Sequence, residues 1–182
     1  MNALIIVDVQ KGYINGRDAV EDALGAVMAI KTVLKSWKGY VVQTIDVPAP
    51  AISYSDQVKE WSPPTKLEGH TIPLFQVETL YKTTLPNRDG YSAFHAIDRA
   101  HRPLLEILRE KEVDNLLVCG LSLDYCVKAT AIDAVDAGFT TVVHLNLTRP
   151  AWPSLGLQAI LDLEMKGVTV LPYRASLGAE KL

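Results

Sequence analysis

Cysteine is scarce in this sequence, which has only two in 182 residues, Cys119 and Cys126. Two thiols seven positions apart exclude a small domain stapled by disulfides, and they favour a reducing compartment. The sequence also lacks an apolar run of the roughly 20 residues that a membrane-spanning helix needs. Its first residues, MNALIIVDVQ, have no basic segment ahead of the apolar one, so no secretion signal is expected. These absences predict a cytoplasmic protein without a membrane partner.

Positive charge is not in excess either, since 18 Lys and Arg face 21 Asp and Glu, for a formal net charge of −3. No broad basic surface is therefore expected, and no nucleic-acid partner. Hydrophobic residues make up 48% of the chain, as is usual for a globular α/β protein. The length predicts one domain over residues 1–182. The sequence leaves open whether the chain is a homo-oligomer.

Apolar runs of strand length alternate with segments of helical period. The run 3–7 is continuously apolar, as in a strand buried on both faces. In residues 18–37 the apolar residues recur every three to four positions, which predicts an amphipathic helix with Asp18 as N-cap, ending near Gly39. Further strands are predicted at 40–45, 77–81, 115–119, 140–145 and 168–171, and further helices through 104–108 and over 124–137 and 154–166. This alternation predicts an α/β fold with a doubly wound, mainly parallel six-stranded sheet and helices on both faces.

Residues 46–75 interrupt this alternation. The segment holds five prolines and has no steady apolar period. Long stretches without regular structure are uncommon in compact domains and usually serve a function. We therefore expect a surface loop that acts as a lid or a binding loop.

Three reactive residues are predicted at the carboxyl ends of strands, where open parallel sheets bind their ligands. Asp8 ends the first strand, Lys82 follows the third, and Cys126 begins the helix after the fourth. Cys126 is the candidate nucleophile, because the N-terminus of a helix favours a thiolate and its N–H groups can hold an oxyanion. Cys119 lies inside an apolar strand and is expected to be an inert, buried thiol.

Asp8 and Lys82 are expected to form an ion pair, because a carboxylate that closes a buried strand is costly unless it is paired or functional. Each residue alone has an ordinary alternative: a turn-capping aspartate, a surface lysine or a structural thiol. A Cys–His pair is a rival arrangement, but no histidine lies in a segment that ties it to Cys126. The four histidines are His70, His95, His101 and His144. The Asp–Lys arrangement is therefore preferred.

The three motifs together resemble those of the isochorismatase-like cysteine hydrolases, in the nicotinamidase/pyrazinamidase branch. Asp8 lies in IIVDVQKGY, which is similar to that family's apolar strand followed by Asp-Val-Gln. Lys82 opens KTTLPNRDGYSAF, similar to its Lys, a proline further on and Tyr-Ser-Ala-Phe. Cys126 lies in GLSLDYCVKATAIDA, the most specific of the three. Order and spacing agree from Ala3 to about Arg149, and an isochorismatase-like, Rossmann-like fold is implied.

The resemblance implies a cysteine amidohydrolase that cleaves a small amide through a thioester, most naturally nicotinamide to nicotinate with release of ammonia. Asp8, Lys82 and Cys126 would be its catalytic triad, with Asp8 taking the thiol proton. The backbone N–H groups of Ser122 and Cys126 would form the oxyanion hole, shaped by a cis peptide between Leu121 and Ser122. The aromatic residues at the positions of the substrate-binding wall are Tyr13, Trp61 (after a one-residue shift), Tyr91 and Tyr125.

One departure from the family concerns its metal. Nicotinamidases usually hold a divalent ion with an Asp-x-His pair and a later His. Asp46 is retained here, but Pro48 and Thr65 stand where the two histidines are expected. Proline has no side-chain donor and threonine is rarely a ligand. His70 is nearby, although a lone loop histidine is more often solvated. No cofactor is therefore expected, and the divalent metal site is expected to be lost.

Two alternatives remain open at this point. The first is a metal-free isochorismatase-like hydrolase of another small amide or of a ureido or carbamoyl compound. The second is a catalytically silent relative that binds a small ligand. Arg149 is equally well interpreted as the family's arginine after the fifth strand or as a surface charge.

Overall fold

The structure, a computed structural model, describes residues 1–47, 62–84 and 89–173. Within these ranges six strands form one parallel sheet in the order β3-β2-β1-β4-β5-β6. The strands are β1 (Asn2–Val7), β2 (Tyr40–Asp46), β3 (Glu78–Lys82), β4 (Asn115–Leu121), β5 (Thr140–Arg149) and β6 (Thr169–Leu171). The helices are α1 (Lys11–Asn15), α2 (Ala23–Ser36), α3 (Leu104–Glu110), α4 (Lys128–Asp136) and α5 (Pro153–Met165). The predicted α/β fold is confirmed, with a sheet that is parallel throughout.

The central strand β1 explains why its sequence is apolar without alternation. Ile5 and Val7 pack into a core that includes residues of α3, α4 and α5. Leu4 and Ile6 pack into a second core with residues of α2, on the other side of the sheet. All four side chains are fully buried. Full burial of such a side chain contributes roughly 1.5–3 kcal/mol, so β1 anchors both layers and fixes the position of the residue that follows it.

The predicted start of the second helix at Asp18 is wrong. Helix α2 begins at Ala23, after the N-cap Asp22, and ends at Ser36. Asp22 has a left-handed φ of 50° and forms no side-chain cap hydrogen bond. Its carboxylate instead lies 2.7 Å from the guanidinium of Arg149. The chain before it also contains α1, whose five residues are too few to show a helical period.

The proline-rich segment is described only from residue 62 onward, and the part that holds Pro48 and Trp61 lies outside the described residues. From residue 62 to β3 the only helical element described is one 3₁₀ turn, Gly69–Thr71. The chain then enters β3, which includes Lys82 as its last residue. Within the described ranges, no helix is long and apolar enough to cross a bilayer.

Gly120 allows β4 to approach β1 closely. Its φ is +112°, and an added Cβ would lie 2.1 Å from the carbonyl oxygen of Val7. We expect Gly120→Ala to lower the free energy of unfolding by roughly 3 kcal/mol, because backbone atoms must shift as well as the dihedral. Urea unfolding measures this loss.

Gly138 provides a matched control. Its φ is also positive, at +94°, but nothing lies within 4 Å of the Cβ that alanine would add. Gly138→Ala should therefore lower the free energy of unfolding by about 1–2 kcal/mol, because alanine is strained in a left-handed backbone conformation. If the two variants lost the same free energy of unfolding, the close approach of Gly120 to Val7 would not affect stability.

Candidate active site

The predicted reactive residues meet at the carboxyl edge of the sheet. Asp8 directly follows β1, and Lys82 is the last residue of β3 rather than the residue after it. Cys126 lies beyond β4, in a turn that precedes α4. Parallel strands bring their carboxyl ends to one edge, so three distant segments of the chain converge there. Their catalytic roles remain predictions.

Asp8 and Lys82 form a buried ion pair. The Lys82 Nζ lies 2.8 Å from Asp8 Oδ2, and both side chains are 0% exposed. Thr44 Oγ1 donates a hydrogen bond of 2.8 Å to the other oxygen, Asp8 Oδ1. Asp8 also has a left-handed φ of 49°, a conformation uncommon outside glycine. The carboxylate is thus held in one orientation by contacts on both oxygens.

The Lys82 ammonium has three polar neighbours for its three protons. Besides Asp8, it donates to the carbonyl oxygen of Gly90, and it lies 3.7 Å from Cys126 Sγ. Burial alone would lower the pKa of Lys82, but Asp8, Cys126 and Asp46 raise it above its usual value. Lys82 therefore stays charged and joins the carboxylate to the thiol.

The environment of Cys126 differs from the prediction in two respects. The residue lies in a π-helical turn, Leu123–Val127, and the regular helix α4 begins only at Lys128. Burial and the nearby Asp8 carboxylate raise the pKa of the Cys126 thiol well above its ordinary value, although Lys82 opposes them. The helix-start argument considered neither of these two effects, both of which favour the protonated thiol. A protonated thiol needs a base before it can act as a nucleophile.

The chain between β4 and Cys126 takes an unusual path. The peptide bond between Leu121 and Ser122 is cis, as the resemblance implied. The Ser122 carbonyl accepts hydrogen bonds from the N–H groups of Tyr125 (3.3 Å) and Val127 (3.0 Å). Both hydrogen bonds are made within the turn that carries Cys126. The predicted donors of the oxyanion hole, the N–H groups of Ser122 and Cys126, belong to the same turn.

Three aromatic residues of the predicted substrate-binding wall are among the described residues. Tyr13 is half-buried, and its hydroxyl donates to Asp46 Oδ2 at 3.2 Å. Burial, followed by the charges of Asp46, Asp8 and Cys126, raises the pKa of Tyr13. Tyr91 and Tyr125 form a tilted ring pair with centroids 5.5 Å apart. Trp61, the fourth member of the predicted wall, lies outside the described residues.

Sequence reasoning did not single out Gln10, which positions Asp46. Its side-chain amide donates to the Asp46 carbonyl at 3.0 Å and accepts from the Asp46 N–H at 2.8 Å. Gln10 is only 1% exposed, so this pair ties the end of β2 to the segment that follows β1. The motif Asp-Val-Gln contained a sequence signal for this role, because an amide side chain next to a buried strand needs a hydrogen-bond partner.

Asp124 is a second residue that sequence reasoning missed. Its buried carboxylate accepts hydrogen bonds from the N–H groups of Ala151 (2.8 Å) and Trp152 (2.9 Å). The π-helical turn that carries Cys126 is thus fixed to the connection between β5 and α5. The sequence signal for this contact was an aspartate two residues before the candidate nucleophile.

The structure disfavours one of the two alternatives for Arg149, that of a surface charge. It is the last residue of β5, its guanidinium pairs with Asp22 at 2.7 Å, and it donates to the carbonyl oxygen of Thr148 at 2.6 Å. Its side chain is only 14% exposed. These contacts make it a link between β5 and the start of α2.

A cavity of about 630 Å³ opens beside the reactive cluster. The described residues that line it are Gln10, Gly12, Tyr13, Arg17, Asp18, Asp46, Val47, His70 and Thr84. Asp46 is the register partner of Lys82 in the neighbouring strand. The cavity therefore adjoins the ion pair through Asp46 and Tyr13.

Of the three positions expected to hold the family's metal, Asp46 is the one that keeps a ligand side chain. Thr65 is exposed, and its carbonyl accepts a hydrogen bond from Arg99 at 3.2 Å. Across residues 1–47, 62–84 and 89–173, no three His, Cys, Asp or Glu side chains are grouped so that they could hold a metal. The position of Pro48 lies outside these ranges. A structural or catalytic metal normally has at least three protein ligands, and Asp46 supplies one.

Comparison with known proteins agrees with this geometry. The isochorismatase domain family matches residues 2–170. The nicotinamidase/pyrazinamidase of Mycobacterium tuberculosis is 33% identical over 94% of this chain and 98% of that protein. The nicotinamidase of Saccharomyces cerevisiae is 40% identical over 75 residues, which cover 41% of this chain and 35% of that protein.

A solved structure shows the same fold. The pyrazinamidase of Pyrococcus horikoshii, in complex with zinc, superposes with a TM-score of 0.74 and covers 94% of this chain and 99% of that one, at 22% identity. The match over nearly the whole chain, together with the M. tuberculosis relative, confirms the predicted family. This chain belongs to the isochorismatase family, in its nicotinamidase branch.

Proposed function

We propose that this chain is a cysteine amidohydrolase that converts nicotinamide to nicotinate and ammonia, with Asp8, Lys82 and Cys126 as its catalytic triad. The observation that carries the proposal is the buried Asp8–Lys82 pair with the Cys126 sulfur 3.7 Å from the ammonium. Such a cluster is costly in a protein interior unless it is used. The choice of nicotinamide as substrate is based on the relatives named as nicotinamidases.

The proposed reaction begins with a protonated thiol. Asp8 accepts the Cys126 proton as general base, and the sulfur attacks the amide carbon. The N–H groups of Ser122 and Cys126 stabilise the oxygen anion that forms. Asp8 returns the proton to the departing nitrogen, ammonia leaves, and the acyl group remains on sulfur as a thioester.

Water completes the cycle. Asp8, again a carboxylate, takes a proton from a water molecule that attacks the thioester carbon. The carbon–sulfur bond breaks, the carboxylic acid is released, and Cys126 recovers its proton. Lys82 remains charged throughout and keeps Asp8 oriented toward the sulfur.

The aromatic residues provide a surface for a flat ring. We propose that four aromatic residues hold the substrate ring by stacking: Tyr13, Trp61, Tyr91 and Tyr125. Tyr13 borders the cavity together with Asp46. Orientation then depends on aromatic contacts and hydrogen bonds.

We further propose that the active protein carries no stoichiometric metal. Pro48 and Thr65 replace the expected histidines, and a single carboxylate competes poorly with bulk water. Elemental analysis of protein purified without added metal should find less than a tenth of an ion per chain, and chelator should leave turnover unchanged. One tightly bound zinc or iron per chain, with activity lost to chelator and restored by the ion, would contradict this. His70 would then be the first ligand to substitute.

The compartment and the domain organisation complete the proposal. The two cysteines, Cys119 and Cys126, are both free thiols, which suits a reducing cytoplasm. We propose that residues 1–182 act as one domain whose substrate is a small amide.

A panel of amides tests the substrate assignment. Purified protein is incubated with nicotinamide, pyrazinamide, benzamide and an N-carbamoyl amino acid, and both ammonia and the acid product are measured. Nicotinamide should give equal amounts of nicotinate and ammonia. Faster hydrolysis of the carbamoyl compound would move the function to that substrate class. Release of ammonia from none of them would favour a ligand-binding protein.

A further inference from the structure

A buried threonine contacts the backbone of the candidate nucleophile. Thr130 lies in the first turn of α4 and is 0% exposed. Its Oγ1 donates a hydrogen bond of 2.7 Å to the carbonyl oxygen of Cys126. The same Oγ1 accepts a hydrogen bond of 2.8 Å from the N–H group of Ala93. A hydroxyl has one proton and two lone pairs, so this one group bonds to two separate segments of the chain.

The bond from Ala93 distinguishes Thr130 from an ordinary helical threonine. Threonines in helices often donate to the carbonyl group four residues before them, as Thr130 does to Cys126. Ala93, by contrast, belongs to another element, the 3₁₀ turn Ala93–His95, and it is 0% exposed. A buried N–H group without a partner is costly. The Thr130 hydroxyl therefore fastens this turn to the start of α4.

Both partners of Thr130 lead back to the Lys82 ammonium. Segment 90–93 begins with Gly90, whose carbonyl oxygen accepts a hydrogen bond from Lys82 Nζ. The Cys126 Sγ lies 3.7 Å from the same Nζ. Thr130 thus closes a ring of contacts that runs from Lys82 through segment 90–93 to Cys126 and returns to Lys82. In a closed ring of this kind, the position of the sulfur depends on each contact.

We propose that Thr130 is a positioning residue, whose hydroxyl holds Cys126 Sγ at its distance from the Lys82 ammonium by joining the nucleophile's turn to segment 90–93. The proposal rests on amide hydrolysis at Cys126, and Thr130 takes no part in its proton transfers. Without the hydroxyl, the Cys126 carbonyl and the Ala93 N–H lose the group that links them. A displacement of about 1 Å near a reacting atom costs roughly 10²-fold in rate, so a small separation of the two segments has a large effect on turnover.

Thr130→Val removes the hydroxyl and keeps the branched shape of the side chain. The kcat of ammonia release from nicotinamide should fall by roughly 10²-fold. Thr130→Ser retains the hydroxyl and should keep kcat within about threefold of wild type. Thr130→Ala, which removes the hydroxyl without the added methyl group, should fall as far as Thr130→Val and takes its place if the valine variant does not fold.

Thr141→Val is the matched control for the loss of a buried hydroxyl. Thr141 is 2% exposed, and its hydroxyl donates to the carbonyl oxygen of Phe139 at 3.1 Å. It lies at the start of β5, at the edge of the sheet opposite to the reactive cluster. The urea midpoint should fall to a similar extent in Thr141→Val and Thr130→Val, but kcat of Thr141→Val should stay within about twofold of wild type.

Alkylation of Cys126 reads the position of the thiol without turnover. Burial raises the pKa of the Cys126 thiol, and the charges of Asp8, Lys82 and Asp46 act on it as well. Asp8→Asn should lower the pH midpoint of iodoacetamide labelling, as argued in the Discussion. In Thr130→Val protein the same substitution should shift the midpoint by less than about half as much, because the sulfur is no longer held beside the ion pair.

Three results would overturn the proposal. The first is wild-type kcat in folded Thr130→Val or Thr130→Ala protein, and the second is a loss in Thr130→Ser as large as in Thr130→Val. The third is the absence of a cooperative urea transition in both hydroxyl-free variants while Thr141→Val folds, which would make Thr130 a folding residue. Failure of the proposed function is a different result: wild-type protein would release ammonia from none of the amides, and the labelling shifts would still decide the role of Thr130.

Discussion

Replacing Cys126 by alanine is expected to reduce ammonia release from nicotinamide to the rate in buffer. The proposed reaction passes through a bond between Sγ and the acyl carbon, and alanine cannot form it. Cys126→Ser should also be inactive, because a hydroxyl is a weaker nucleophile and Asp8 would have to remove a far less acidic proton. The measurement is kcat for each variant, with circular dichroism and urea unfolding to verify the fold.

Cys119→Ala is the matched control for the loss of a thiol. Cys119 is fully buried in the core that includes Leu4 and Leu117, and burial raises its pKa. Its removal should cost about 1 kcal/mol of stability and leave kcat within twofold of wild type. Near wild-type turnover by Cys126→Ala, or complete loss in Cys119→Ala with an intact fold, would refute the assignment of the nucleophile.

Asp8→Asn is expected to lower kcat by roughly 10³-fold or more, because asparagine cannot carry the proton from the thiol to the leaving nitrogen. Lys82→Met should be comparably severe, since Asp8 would lose the charge that orients it. Each single change leaves one buried charge without its partner and should lower stability by about 3–5 kcal/mol. The double variant Asp8→Asn/Lys82→Met removes both charges and should recover stability without recovering turnover.

The pH dependence of thiol alkylation distinguishes lost chemistry from lost structure. The Asp8 carboxylate raises the pKa of the Cys126 thiol and the Lys82 ammonium lowers it. The midpoint of iodoacetamide labelling at Cys126 should therefore move to lower pH in Asp8→Asn and to higher pH in Lys82→Met. Identical profiles in wild type and both variants would show that the three groups are not coupled.

The fold was predictable because its determinants are local and repetitive. The apolar run 3–7 forms the central strand, since alternate residues enter the two cores on either side of the sheet. All six strands were predicted to within a few residues, except that β5 extends four residues further, to Arg149. That extension follows an irregularity in the pairing of β4 with β5 near Val118 and Gly120, which a single strand's apolar pattern cannot reveal.

The features that sequence reasoning missed depend on contacts between distant segments. Helix α2 begins late because Asp22 turns toward Arg149, which lies 127 positions away. The state of the Cys126 thiol depends on burial and on Asp8, and the helix-start argument considered neither. The residues of the proposed triad were identifiable from their motifs, whereas Gln10 and Asp124 became apparent only with their backbone partners in place.

Hydroxylamine partitioning tests the central claim, a thioester on Cys126, most directly. Turnover of nicotinamide is followed in increasing hydroxylamine, and nicotinate, the hydroxamate of nicotinic acid and ammonia are measured together. The account predicts that the hydroxamate replaces nicotinate in proportion to hydroxylamine, with both products absent in Cys126→Ala. Formation of nicotinate alone at every hydroxylamine concentration would mean direct attack by water on the amide, and it would contradict the account.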